Sequence, residues 1–143
     1  MPESNEPPAL PDFEEVEHTA DWALRISGRN LSELFRNAAL GMLSLLDVDP
    51  LPGKSDYRSF ELREEDSETL LVSWLEELLF LLEFERTVVV NFQVEVVDVG
   101  QLKATIELMK IASIKKEIKA ITFNELNIQN TENGFETIVV FDV

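Results

Sequence analysis

The residues of this chain best able to do chemistry are few, and they carry oxygen rather than sulfur or imidazole nitrogen. Among 143 residues there is one histidine, His18, and no cysteine. Thiol catalysis, disulfides and cysteine-ligated zinc or iron–sulfur centres are therefore excluded. The five glycines are scattered, so no phosphate-cradling loop and no Gly-x-Ser-x-Gly elbow occurs. Carboxylates remain. In His18-Thr19-Ala20-Asp21, the aspartate stands at a strand junction, where backbone carbonyls are free to face outward. Asp142 follows the apolar run Val139-Val140-Phe141 and precedes Val143, whose terminal carboxylate adds a second negative group. A charge in such surroundings calls for a partner. Oxygen donors gathered from distant segments suit a hard cation, calcium or magnesium. The plainer alternative is that Asp21 caps a turn and Asp142 frays into water, and on spacing alone it is the commoner outcome. Lys119 is one of few cations, and its ordinary role is a surface pair with Glu117 or Glu125. Glu64-Glu65-Asp66 and Glu76-Glu77 read as solvated faces or helix-start charges. Trp22 and Trp74 read as core.

Charge narrows the partners. Twelve basic against twenty-eight acidic side chains give a formal net charge of −16. Tight nucleic-acid binding rests on basic residues that release phosphate counterions, so direct RNA or DNA binding is not expected. A basic protein or a divalent cation fits the balance better. The apolar stretch Leu70 to Phe84 is interrupted by Glu76, Glu77 and Glu83, so no membrane span is expected. The opening MPESNEPPALPDFEE is acidic and proline-rich, unlike a secretory signal, which points to a cytoplasmic protein.

The elements that must position these residues follow from periodicity. Residues 1–12 are expected to form a flexible tail and 13–143 a single compact domain. FEEVEH and WALRISG read as strands on either side of Thr19-Ala20-Asp21. A helix is predicted from Asn30 to about Leu46, with Asn30 as N-cap and Glu33 completing a capping box. Residues 47–54 read as a loop and 57–62 as a strand. A second helix is predicted over 67–83, capped by Asp66 or Ser67. Its apolar face is broad: Leu71, Trp74, Leu75, Leu78 and Leu82, widened by Leu70, Leu79, Phe80 and Leu81. Thr87–Val99 alternates, with Val88, Val90, Phe92, Val94 and Val96 on one face, and 102–111 reads as its partner strand. Residues 112–124 are ambiguous. Asn133-Gly134 predicts a two-residue hairpin turn that sets Glu132 opposite Phe135, Leu126 opposite Phe141 and Glu125 opposite Asp142. The sum is an α+β fold of mostly antiparallel sheets with two main helices packed on them.

Four blocks in order resemble the archease family: HTADWALRISGRNLSELFRNAALGML, LLVSWLEELLFLLE, EIKAITFNEL and NGFETIVVFDV. The likeness spans about residues 13 to 143. It implies a non-catalytic protein that assists RtcB-type RNA ligases in tRNA splicing and RNA repair by promoting nucleotide activation and turnover. It also implies a metal held by Asp21, Asp142 and Val143; His18 is a candidate neighbour of that site, and the hard oxygen donors make calcium the expected ion, ahead of magnesium or another divalent ion. Lys119 carries over as the residue that contacts and activates the partner. The chain departs from the family pattern at Asn124, where histidine is frequent, and at Ser73, where aspartate is usual. Two other functions compete with ligase activation. One is a generic chaperone or interaction module without metal dependence. The other is a metal-dependent hydrolase with His18 as general base.

Overall fold

A computed structural model describes residues 11–16, 22–114, 117–122 and 126–143. Two antiparallel sheets and two helices make up the fold. The strands β1 (Phe13–Val16) and β2 (Trp22–Gly28) are followed by α1 (Leu31–Leu46), a short β3 (Asp49–Pro50) and β4 (Asp56–Arg63). After α2 (Ser67–Phe84) come β5 (Thr87–Asp98), β6 (Gln101–Ser113), β7 (Ala120–Thr122), β8 (Gln129–Thr131) and β9 (Gly134–Asp142). One sheet runs β1-β2-β9-β7, with β8 also on β9; the other centres on β6, which pairs with β3, β4 and β5.

The helices start where side-chain oxygens can satisfy their first amides. Asn30 Oδ1 accepts from the Glu33 N–H at 2.8 Å, as expected. The return bond differs from a regular capping box: Glu33 Oε1 accepts from the Arg29 N–H at 2.9 Å, one residue earlier than Asn30. Asp66 is the cap of α2, through Thr69 N–H at 2.7 Å. The width of the α2 apolar face has a simple cause. The helix packs on β4 and β5 of one sheet and on β7 of the other, and it touches α1. Trp74 is fully buried, stacks near Phe60 and Phe92, and donates its indole N–H to the Phe35 carbonyl at 3.0 Å. Trp22 is only half-buried.

Three sequence expectations need correction. Phe80 is not part of the core; it is 49% exposed. Val90 is exposed because a bulge between Val89 and Asn91 interrupts the alternation and leaves Val88 and Val89 both buried. The hairpin register is also shifted. Thr131 pairs with Gly134, so Glu132 and Asn133 form the turn. A Cβ on Gly134 would collide with the Gly28 carbonyl oxygen, and its φ is +145°. This glycine therefore serves the close passage of β2 against β9 rather than the turn centre. Further along, the chain uses seven residues from Thr122 to Gln129 while β9 uses four, from Val140 to Glu136. The extra length makes Ile121 the partner of Phe141 and Ala120 the partner of Asp142, in place of Leu126 and Glu125.

Candidate functional site

β9 is the central strand of the first sheet, and its last residues carry the candidate chemistry. Thr137, Val139 and Phe141 alternate inward and are buried. Asp142 therefore turns to the opposite side and is exposed at the end of the strand. The apolar neighbours that made this aspartate look trapped in the sequence belong to the other face or to solvent, so burial imposes no need for a counter-charge. Val143 is half-buried and packs against the core.

Two segments meet β9 at this end. On one side Trp22 pairs with Phe141, which ties the start of β2 to the residue before Asp142. On the other side the Lys119 N–H donates to the Asp142 carbonyl at 2.8 Å, and Ala120 pairs with Asp142. Lys119 and Asp142 are thus neighbours through the backbone, with both residues exposed. Among the described residues Lys119 makes no ion pair, so the expected pair with Glu117 does not form. Glu125 lies outside the described residues. So do Asp21, His18 and Asn124. Ser73, at the other departure from the family pattern, donates its hydroxyl to Glu64 Oε2 at 2.7 Å.

The donor set can be tested against a metal. Among the described residues no three Asp, Glu or His side chains gather closely enough to hold one. The described donors at the end of β9 are the Asp142 carboxylate and backbone oxygens, all hard. They suit calcium or magnesium in kind but are fewer than the ~6–8 oxygens calcium takes.

Lys119 also lines a pocket of about 590 Å³, with Leu46, Leu79, Leu82, Ile118 and Arg86. Arg86 has a φ of +56° and directs its carbonyl to the Ile111 N–H at 3.3 Å. Sequence reading missed this pocket because its walls come from the ends of both helices and from the segment before β7, which periodicity could not assign.

The chain matches the model of the Archease protein family (MTH1598/TM1083) over residues 13–143. The chain belongs to the archease family. Curated archeases share about a third of their residues with it. Protein archease of Methanosarcina mazei is 35% identical over 142 residues, covering 92% of this chain and 95% of that protein. Protein archease of Saccharolobus islandicus is 36% identical over 139 residues, covering 92% and 98%. The archease fold recurs in solved structures. A Thermotoga maritima archease described as a "possible chaperone" superposes with a TM-score of 0.67 at 22% identity, covering 91% of this chain and 96% of that one. The solution structure of Methanobacterium thermoautotrophicum protein 1598 gives 0.65 at 25% identity, covering 94% and 100%. Among the described residues of this archease, no helix is long and apolar enough to cross a membrane.

Proposed function

We propose that this archease is a metal-binding, non-catalytic activator of an RtcB-type RNA ligase, acting in the cytoplasm in tRNA splicing and RNA repair. One observation carries the reading: the β2–β9 register pairs Trp22 with Phe141 and leaves Asp142 exposed one residue further on. In the sequence Asp21 directly precedes Trp22, as Asp142 directly follows Phe141. Two carboxylates brought to one end of this strand pair would repel unless a cation sat between them. Asp21, Asp142 and Val143 would hold calcium, or magnesium in its place, with His18 beside the site. The ion would supply a fixed positive charge at a surface that is otherwise strongly acidic. Lys119, bonded to Asp142 through its N–H, presents its ammonium beside that charge toward the partner. The net charge of −16 supports a docking partner with a basic, phosphate-binding face rather than RNA itself.

The test is to incubate the chain with an RtcB-type ligase and broken RNA, with and without chelator, and to count turnovers per ligase. Asp21→Ala and Asp142→Ala should abolish stimulation while the protein stays folded. Lys119→Ala should weaken stimulation and keep the metal. Full stimulation by both aspartate variants would refute the reading. The Thermotoga archease described as a "possible chaperone" favours one alternative, a general interaction module. That module would act equally well in chelator and would bind unrelated unfolded clients.

A further inference from the structure

Among the described residues, the flank of α2 that carries Phe80 breaks the pattern of apolar residues inside and polar residues outside. Phe80 is 49% and Phe84 67% exposed, and their rings stack with centroids 4.8 Å apart. At ~100° per residue, Phe80 and Phe84 each fall within ~20° of Ser73 around the helix. That direction faces β4, because Ser73 bonds Glu64, just past the end of that strand. At the other end of the helix Glu85 grips Arg58, near the start of β4, at 2.7 Å. The twelve residues from Ser73 to Glu85 rise ~18 Å, and the six from Arg58 to Glu64 extend ~20 Å. The helix therefore lies antiparallel along β4, with the phenylalanine pair on its β4 flank. Among the described residues β4 pairs only with β6, so its other edge keeps unpaired N–H and C=O groups.

We propose that this strip is a docking site for an extended segment of a protein partner, one that alternates apolar residues with lysine or arginine and adds as a strand to the free edge of β4. The spacing fits. Alternate side chains of a strand repeat every ~6.8 Å, and Phe80 and Phe84 stand ~6 Å apart along the helix axis. Two successive apolar side chains of the added strand would each meet one ring. Main-chain bonds to β4 would supply affinity and the ring pair selectivity. Charge selects the occupant. Glu76 and Glu83 flank the pair on one side and Glu77 on the other, within ~80° of Ser73 around the helix. A second copy of this chain would bring like charges together, whereas a basic segment neutralises them. Phe80 and Phe84 lie outside the pocket that Lys119 lines, although Glu83 borders both, and the proposal stands whether or not the ligase reading holds.

The test uses the full chain and synthetic twelve-residue peptides of alternating Leu and Lys, with alternating Ser and Lys as the equal-charge control. Amide shifts followed by NMR should move in residues 57–63 and 76–85. The Leu/Lys peptide should bind at least tenfold more tightly than the Ser/Lys peptide. Phe80→Ser with Phe84→Ser should remove that advantage while the melting temperature holds or rises. Glu76→Lys with Glu83→Lys should weaken both peptides. Equal binding of the two peptides, shifts spread over the whole acidic surface, or full Leu/Lys affinity in the phenylalanine variant would each overturn the proposal. Sedimentation showing a dimer that the phenylalanine variant abolishes would also overturn it, by making a second copy the occupant.

Discussion

Replacing Asp142 with asparagine separates a metal ligand from an ordinary surface carboxylate. The side chain is exposed, its backbone bonds to Lys119 and Ala120 do not involve the carboxylate, and asparagine keeps the shape. Without divalent ions the variant should therefore match the parent within ~0.5 kcal/mol. A ligand that binds only the folded state stabilises by ~2.7 kcal/mol when present at a hundred times its dissociation constant. At this chain length each kcal/mol moves the melting temperature by ~3–5 °C, so calcium should raise the parent by ~8–13 °C. If losing the carboxylate weakens binding ~100-fold, the same calcium concentration stabilises the variant by only ~0.4 kcal/mol. The difference of roughly 7–11 °C is easily read by calorimetry or circular dichroism. A chain of net charge −16 gains some stability from any cation by screening. The melts are therefore compared at equal ionic strength set with sodium chloride. The Asp142→Asn substitution removes one charge among many and would leave a pure screening gain intact. An identical calcium response in parent and variant, or none in the parent with calcium, magnesium or manganese, would refute the assignment of Asp142.

Gly134→Ala should destabilise the fold, because its Cβ would collide with the Gly28 carbonyl oxygen and its φ of +145° suits glycine alone. Backbone strain of this kind costs ~1–3 kcal/mol before the collision is counted, so denaturant melts should show at least that loss; a neutral result would refute the β2–β9 approach. The Arg29 guanidinium, bonded to Glu33, holds the Glu33 carboxyl below its ordinary value of 4.5. Its stabilising effect is present above that value and fades as the pH falls through the folded value, so Glu33→Gln should cost a few tenths of a kcal/mol at pH 7, ~0.3–0.5, and nothing at about pH 2. Thermal melts across that range check the sign.

Much of the fold was legible in residue order, because caps and periodicity act over a few neighbours. Asn30, Asp66 and the spacing of leucines in α2 name both helices, and Gly134 marks the neighbourhood of the last hairpin. Family resemblance rested on the same local blocks. The register of that hairpin was not legible, because it depends on how closely Gly134 passes Gly28, more than a hundred residues earlier in the chain. The exposure of Phe80 was not legible either, since helical spacing shows a broad apolar face but not which part of it a sheet covers. The same division applies to the candidate site. Sequence alone singled out Asp21, Asp142, Val143 and Lys119 as chemically apt or familiar. Only the tertiary fold decided that Lys119 bonds to the backbone of Asp142, and that Asp142 faces solvent rather than the core. Local patterns set which elements form, while long-range packing sets which side of each element meets water.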